Sequence, residues 1–320
     1  MNKYLDPKRY FSFFMNKLFS LLSPVVKLWE KRQYRKYSNM PLKHQPVFII
    51  GAPRTGSTIL YQTITNQFDV LYIDNLVCKF NKNFFFGFWL SNKLFKQKAH
   101  NCFSSNHGAT KGLRSPSECG GFWYRWLPRD RHFIDHQGVT DKMVKEIREE
   151  ISSVINKYDK PLVFKNLNAG QRLRLLSKAF PEAKFIYARR EPEYTAQSIL
   201  LAKRKLGIKE NSFWSIMPKS VSELNKLEWP EQIVRQIFDI EKQISEDSAL
   251  FEKDRFSIVN YLDLNQKTVS DVGRFLNFNE RQECESAIIN LTERLVLNES
   301  EISLLNKEIK KLDWSVTNVK

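Results

Sequence analysis

Residues 47–58 read VFIIGAPRTGST, an apolar run followed by a glycine-containing turn and then by residues that suit a helix. Gly51 and Gly56 allow the backbone to bend so that consecutive N–H groups point at a bound anion. The first turn of the following helix adds unpaired N–H groups and the positive end of its dipole. Three hydroxyls and one guanidinium are added by Thr55, Ser57, Thr58 and Arg54. The stretch predicts a strand, loop and helix that together bind a phosphate or sulfate group.

This loop differs from the loop of nucleotide-triphosphate enzymes at one decisive position. That motif, G-x-x-x-x-G-K-[ST], uses its lysine to reach the outer phosphates. Here Gly51 and Gly56 have the matching spacing, but Ser57 occupies the lysine position and Arg54 is the cation of the loop. The pattern therefore favours a phosphate-bearing donor other than ATP. An ATP-dependent kinase of the P-loop type remains the alternative.

A second phosphate-binding pattern occurs further along the chain. The apolar run Phe185–Ala188 is typical of a strand in a parallel sheet. Arg190 follows at its carboxyl end, where open α/β sheets bind ligands. Pro192 suits the first turn of a helix, and Ser198 falls about two turns into that helix. We expect Arg190 and Ser198 to hold one phosphate from two sides, with Arg189 as the alternative arginine.

Together the two patterns resemble the sulfotransferases that use 3′-phosphoadenosine 5′-phosphosulfate (PAPS). The donor loop of that family reads roughly G-x-P-[RK]-[ST]-G-[ST]-[ST], as residues 51–58 do. The family's second motif has an arginine and a serine eight residues apart, like Arg190 and Ser198. The resemblance implies a P-loop-like sulfotransferase fold and PAPS as the co-substrate, with no metal. It also implies that the donor is bound by Arg54, Thr55, Gly56, Ser57, Thr58, Arg190 and Ser198.

Alternating strand and helix patterns predict an α/β fold, with a parallel central sheet flanked by helices. The predicted strands are Val47–Ile50, Val70–Ile73, Leu162–Lys165, Lys184–Ala188 and Ser257–Tyr261. The predicted helices cover about 57–67, 141–157, 170–180, 193–206, 230–247, 267–277 and 280–311. A chain of 320 residues is long enough for one full core. We expect a catalytic domain at 45–320, with an acceptor-side insertion at about 75–135.

The insertion contains the candidates for the group that takes the proton of the acceptor hydroxyl. Sulfuryl transfer to a hydroxyl needs such a base. Glu118 precedes an aromatic cluster that would desolvate its carboxylate, and His107 offers an imidazole. Some members of the resembled family use a His and others a Glu, so both catalytic candidates stay open beside Arg54. Lys165, at the end of a predicted strand, is expected to contact the sulfate or the acceptor.

Residues 1–44 form a separate basic and apolar segment. They contain ten Lys or Arg and two acidic residues. Charged and polar residues interrupt the apolar stretch, so it does not have the pattern of a membrane-spanning helix. Its composition suits an interfacial position on anionic lipid, and it also suits a basic helix packed over the catalytic domain. Both interpretations stay open.

The net charge of +16 suits a polyanionic donor. Nucleic-acid binding is not expected, because neither zinc-finger spacing nor an aromatic RNA motif is present. The four cysteines lack metal-binding spacing and indicate a reducing compartment, so we expect a cytoplasmic protein. An interfacial role of residues 1–44 would place it peripherally at the inner face of a membrane. We therefore predict a sulfotransferase that moves a sulfuryl group from PAPS to a hydroxyl on a glycan or lipid-linked sugar. A non-catalytic membrane-associated scaffold is the other alternative.

Overall fold

The computed structural model describes residues 24–96, 98–106, 108–284, 289, 291 and 293–319. The strands are β1 Val47–Ile50, β2 Leu71–Tyr72, β3 Ser105–Asn106, β4 Ala109–Thr110, β5 Leu162–Lys165, β6 Lys184–Arg189 and β7 Phe256–Asn260. The first helix, α1, covers the described residues 24–37. The other α-helices are α2 Ser57–Gln67, α3 Asn75–Lys79, α4 Phe84–Phe95, α5 Gly120–Trp123, α6 Asp141–Tyr158, α7 Leu173–Ala179, α8 Pro192–Lys205, α9 Val221–Leu224, α10 Trp229–Ser248, α11 Gln266–Leu276 and α12 Glu299–Ile309.

Five strands form one parallel sheet in the order β2-β5-β1-β6-β7. At its centre, Phe48 of β1 is in register with Phe164 of β5 and Phe185 of β6. After β1 the chain forms β2 and β5 on one side of that strand, and then β6 and β7 on its other side. Open α/β sheets bind ligands where the winding reverses in this way, at the carboxyl ends of the strands. The predicted parallel sheet with flanking helices is confirmed.

The side chains of β1 alternate between two apolar cores. Phe48 and Ile50 belong to one core, whereas Val47 and Ile49 belong to the other. Helices α2 and α11 cover the second core, and α6, α7, α8 and α10 cover the first. Because both faces of the sheet are covered, all four positions of β1 are apolar and buried. Burial of each large side chain contributes about 1.5–3 kcal/mol, which fixes the strand that leads into the loop.

The predicted strands agree with β1, β2, β5, β6 and β7 to within one residue at each end. The predicted helices agree equally well with α2, α6, α8, α10 and α11, and less closely with α7. These elements have a clear apolar period, because each packs one face on the sheet.

The predicted helix over 280–311 is wrong: among the described residues of that range, α12 is the α-helical part. Gln197 of α8 supplies the reason. Its Oε1 accepts the N–H groups of Val296 and Leu297 at 2.6 and 3.1 Å. These bonds hold the segment against α8 in a non-helical form. The helix begins after Asn298, whose side chain caps it.

The described part of the N-terminal segment packs on the domain through α1. The Trp29 ring contacts the rings of Phe85 and Phe86 in α4, at centroid distances of 5.5 and 6.3 Å. The carboxylate of Glu30 accepts the N–H of Phe86 at 3.0 Å and Nδ2 of Asn83 at 2.8 Å. Glu30 therefore caps the N-terminus of α4 from another helix. Residues 1–23 lie outside the described ranges.

Candidate active site

The loop after β1 turns tightly before α2. Its backbone is left-handed at Arg54, with φ of 71°, and at Gly56, with φ of 75°. That conformation costs a non-glycine residue on the order of 1–2 kcal/mol. Helix α2 begins after Gly56 without a side-chain cap, so the N–H groups of its first turn remain directed into the loop. Such a helix start attracts anions.

Two glycines of the loop are required by close neighbours. A Cβ at Gly51 would lie 2.2 Å from the carbonyl oxygen of Ala188 in β6. A Cβ at Gly56 would lie 2.6 Å from a ring carbon of Tyr261. Larger residues at either position would push the loop away from β6 and from the end of β7.

Two arginines and a serine converge beside this loop. Arg54 donates from Nε to Oγ of Ser198 at 2.9 Å, and Arg190 donates from Nη1 to the carbonyl of Arg54 at 3.4 Å. Burial, and then the positive charge of Arg190, lower the pKa of Arg54. Two guanidinium groups held this close at the start of a helix form an electropositive site that favours an anion.

The structure separates the two neighbouring arginines at the end of β6. Arg190 stacks on the ring of Tyr261 at 4.1 Å and pairs with Glu293 at 3.3 Å, and it lines the cleft. Arg189 is directed elsewhere: its Nη2 donates to Glu241 at 2.8 Å and to Thr317 at 2.7 Å. Arg190 is thus the arginine that faces the loop, and Arg189 ties β6 to α10 and the C-terminal turn.

Lys165 and Glu118 meet on the other side of the loop. Lys165 ends β5, and its Nζ donates to Oγ1 of Thr58 at 3.2 Å and forms an ion pair with Oε1 of Glu118. Asn166 donates to the backbone carbonyl of Glu118 at 3.2 Å. The Lys165 side chain is 3% exposed and that of Glu118 39%. The lysine is therefore fixed, whereas the carboxylate borders the open cleft.

These groups line one cleft with a volume of about 420 Å³. That volume lies within the range of sites that hold small molecules and nucleotides. Its polar lining comes from the loop, the ends of β5 and β6 and the insertion, including Arg54, Gly56, Ser57, Thr58, Ser105, Glu118, Lys165, Asn168, Arg190 and Ser198. Apolar lining comes from Pro53, Ile59, Leu167, Trp214 and Ile216.

A hydrogen-bonded loop supplies part of the apolar wall. Gln236 of α10 donates to the carbonyls of Trp214 and Ile216 at 2.8 and 2.9 Å. The Nδ1 atom of His132 accepts the N–H of Met217 at 2.9 Å. Burial, together with a neighbouring arginine, lowers the pKa of His132 to about 4. The ring is therefore neutral near pH 7 and serves as an acceptor that holds this wall.

Most residues proposed from the sequence meet at the cleft, with two differences. The hydroxyl of Thr55 donates to the carbonyl of Ala52 at 3.0 Å, so it braces the loop from inside. His107 lies outside the described residues. Within the described ranges, no three His, Cys, Asp or Glu side chains form a group suited to a metal ion.

Sequence reasoning did not assign site roles to Tyr261 and Glu293. Tyr261 directly follows β7, so its place at the carboxyl edge of the sheet was available as a signal. Glu293 lies 103 residues beyond Arg190, its partner, and no local pattern connects them. Only the folded path of the segment before α12 brings that carboxylate to the cleft.

Comparison with known proteins identifies the family of this chain. The profile of the Sulfotransferase family matches residues 46–282, which include β1 to α11 and the cleft residues from Pro53 to Tyr261. Omega-hydroxy-beta-dihydromenaquinone-9 sulfotransferase Stf3 of Mycobacterium bovis is 21% identical over 267 residues, as is the Mycobacterium tuberculosis protein of that name. The alignment covers 77% of this chain, and the chain spans 65% of the length of these curated relatives.

Solved structures with similar chains include sulfotransferase STF1 from Mycobacterium tuberculosis H37Rv, with 14% identity and a TM-score of 0.48. That match covers 95% of this chain and 84% of the other. Sulfotransferase STF9 from Mycobacterium avium has 12% identity and a TM-score of 0.49, covering 89% and 72%. The family profile spans well over half of the chain and includes both arginines of the anion site. This chain therefore belongs to the sulfotransferase family.

Proposed function

We propose that this sulfotransferase uses PAPS as its donor and transfers the sulfuryl group to an acceptor hydroxyl. The observation that carries the proposal is the convergence of Arg54, Arg190 and Ser198 at the uncapped start of α2. PAPS bears a phosphosulfate and a separate 3′-phosphate, so a donor site needs two cationic regions. The loop and the end of β6 supply one cation each.

The proposed donor contacts follow from these positions. The loop amides, Gly56, Ser57 and Thr58 bind the phosphosulfate, and Thr55 contributes through its backbone N–H. Arg54 offsets the charge that develops on the leaving phosphate oxygen. Arg190 and Ser198 bind the 3′-phosphate. The ring of Tyr261 supports the proposal, since its stacking fixes the plane of the Arg190 guanidinium.

In the proposed reaction the acceptor oxygen bonds to sulfur as the bond from sulfur to the bridging phosphate oxygen breaks. The products are the sulfate ester, 3′,5′-adenosine bisphosphate and a proton, which Glu118 takes from the hydroxyl. The ammonium of Lys165 is shared between Glu118 and Thr58. A bound sulfonate would compete for its ammonium and leave the carboxylate free to act as a base. His107 is the alternative base.

For the acceptor we propose an amphiphilic molecule with an exposed hydroxyl. The apolar wall at Trp214 and Ile216 supports a partly apolar acceptor. The name of the Stf3 relatives describes a hydroxylated menaquinone as their acceptor, which favours a lipid over a free glycan. We assign acceptor recognition to the insertion at about 75–135 of the catalytic domain 45–320.

We further propose that the protein acts in the cytoplasm, with residues 1–44 directed at an anionic membrane surface. The excess of cations in that segment supports this position. None of the helices in the described ranges has the length and apolar content to cross a membrane.

Isothermal titration of the full chain with 3′,5′-adenosine bisphosphate, the spent donor, tests the donor site. We expect micromolar binding that Arg190→Ala weakens roughly 10- to 100-fold, since a hydrogen bond to a charged group contributes about 1.5–3 kcal/mol. Arg274→Ala is the control, because that side chain is 79% exposed on α11 and pairs with Asp271.

Parallel titrations with ATP and Mg²⁺, and with AMP, separate the alternatives. If ATP with Mg²⁺ binds more tightly than the bisphosphate, the ATP-dependent kinase becomes the favoured function. Absence of binding by every nucleotide would replace it with the scaffold. Equal affinity of Arg190→Ala and Arg274→Ala for the bisphosphate would remove Arg190 from the donor site.

A further inference from the structure

Helices α1 and α4 build a surface on which positive charge is not balanced. Its exposed cations come from both helices and from the turn before α4: Lys27, Lys31, Arg32, Arg35, Lys36, Lys82, Lys93 and Lys96. Three exposed apolar side chains lie among them: Val25, Leu28 and Trp89. We call these eleven residues the basic face. Trp29 joins the two helices, since its ring lies 6.0 Å from that of Trp89.

The helical period places the exposed and the buried residues on opposite sides of α1 and α4. In α1 the residues at 26, 29, 30, 33, 34 and 37 are buried or half-buried, and those at 25, 27, 28, 31, 32, 35 and 36 are exposed. In α4, Trp89, Lys93 and Lys96 recur at spacings of four and three, which places them along one side of the helix. The basic face is thus the outer side of both helices.

The one acidic residue in this region does not offset its charge. Across residues 24–37 and 82–96 the sequence contains a single carboxylate, Glu30. It is 2% exposed and is used internally to cap α4. Burial raises the pKa of Glu30. The eight cations therefore face solvent without a carboxylate from their own helices.

We propose that the basic face docks on the surface of a lipid bilayer that contains anionic headgroups. Cations meet the headgroups, while Val25, Leu28 and Trp89 enter the boundary with the acyl chains. Val25 and Leu28 are 67% and 64% exposed, and Trp89 is of the residue type that favours this boundary. A nucleic acid would use the same cations but gains little from exposed aliphatic side chains. The combination selects a bilayer.

Helix α4 belongs to the insertion, and its inner side packs on the part of the insertion that carries Glu118. Phe84 of α4 packs on Phe122 of α5 at 4.2 Å between ring centroids. Phe122 lies four residues after Glu118, the proposed base. Docking would therefore bring the insertion close to the membrane, where an amphiphilic acceptor resides. This last step rests on the proposed donor and acceptor, whereas docking itself specifies the membrane position proposed above for residues 1–44.

Sedimentation of the full chain with lipid vesicles tests the docking. One set of vesicles is phosphatidylcholine alone, and the other contains one third phosphatidylglycerol. We expect binding to the anionic vesicles that falls as salt is raised. The triple variant Lys31→Glu, Arg32→Glu and Arg35→Glu should lose at least tenfold in affinity. Leu28→Ser should lose a smaller factor.

A second triple variant with the same change in net charge is the control: Lys226→Glu, Lys242→Glu and Arg274→Glu. These side chains are exposed and lie outside the basic face. Equal binding by both triple variants would overturn the proposal, as would equal binding to both vesicle types. Binding of duplex DNA that competes with the vesicles and is lost in the first triple variant would replace the bilayer with nucleic acid.

Bisphosphate titration of the same variants keeps the two proposals apart. Both triple variants should bind 3′,5′-adenosine bisphosphate with the affinity of the unmodified chain, because none of the changed residues lines the cleft. Normal nucleotide binding with lost vesicle binding therefore supports docking on its own. If the proposed donor site is wrong, none of the proteins should bind the bisphosphate at the cleft. The vesicle result would still test docking.

Discussion

Lys165 and Glu118 differ sharply in their exposure, and the difference suits different roles. Lys165 is enclosed at the end of β5, so its ammonium stays beside Thr58 and the start of α2. The Glu118 side chain is more than ten times as exposed and reaches the cleft. A fixed cation suits the stabilisation of charge, whereas a carboxylate at the open side suits proton transfer.

For Glu118→Gln we expect kcat to fall by about 10²- to 10⁴-fold, the range typical of a lost general base. Affinity for 3′,5′-adenosine bisphosphate should change little, since Gln keeps the size of the side chain and the donor contacts lie elsewhere. Steady-state kinetics and titration measure the two quantities separately. Glu210→Gln, in the turn after α8 where its carboxylate pairs with Arg204, is the control. Unchanged turnover in Glu118→Gln would transfer the role of the base to His107.

His132 gives a prediction about stability and pH. Its pKa is about 4 in the folded chain and near 6.5 in unfolded chains. Between these values the unfolded state binds more protons, so stability is lost as pH falls below 6.5. At pH 5.5 this residue alone costs about 1.4 kcal/mol relative to high pH.

His132→Asn removes that titration but keeps an acceptor near the N–H of Met217. Urea unfolding at pH 7.5 and pH 5.5 should show that the variant loses about 1.4 kcal/mol less than the unmodified chain. His100, whose pKa burial also lowers, is present in both proteins and cancels. Identical losses in the two proteins would show that His132 does not titrate in this window.

At the scale of elements, α8 organises the proposed donor side through two adjacent residues near its middle. Its first half carries Ser198, which accepts from Arg54. On the same helix, Gln197 binds the extended segment before α12 through three hydrogen bonds. That segment includes Glu293, the partner of Arg190. The buried amide of Gln197 therefore holds the segment that carries this carboxylate.

Gln197→Ala should destabilise the fold by about 1–3 kcal/mol, because it leaves buried backbone groups without partners. It should also weaken bisphosphate binding, since Glu293 and Arg190 lose their fixed geometry. Denaturant unfolding and titration measure the two effects. Gln137→Ala, at an exposed position, is the control. A stable variant with normal nucleotide affinity would contradict the role of this amide.

The elements predicted well from the sequence are those whose apolar residues recur regularly because they pack on or within the sheet. The helix predicted over 280–311 was wrong because the hydrogen bonds of Gln197 oppose the helical pattern there. A single sequence does not reveal such distant partners. For the same reason the choice between Arg189 and Arg190 was open until Glu241 and Tyr261 were located. The loop after β1 was predictable because adjacent residues form it, whereas the apolar wall of the cleft comes from distant loops.

For the whole molecule, the cleft unites the loop after β1, the insertion, the ends of β5 and β6, and the residue after β7. Binding of the proposed donor would therefore be coupled to global folding, because the cleft exists only when all of these are assembled. At a bisphosphate concentration of 100 times Kd, we expect the free energy of unfolding to rise by about 2.7 kcal/mol.

Denaturant unfolding with and without the nucleotide measures this coupling. Arg190→Ala at the same nucleotide concentration should gain much less, and Arg274→Ala should gain as much as the unmodified chain. Equal stabilisation of all three proteins would indicate that the nucleotide binds outside the cleft.

The cap that Glu30 places on α4 has a practical consequence for anyone who wishes to shorten the protein. A recombinant fragment starting at residue 45 would match the family boundary, yet it would remove Glu30 and Trp29 together. The amide of Phe86 and the side chain of Asn83 would lose their acceptor, and the aromatic face of α4 would be uncovered. Such a fragment should be prone to aggregation during purification, so a useful truncation must retain α1 even if lipid affinity is unwanted.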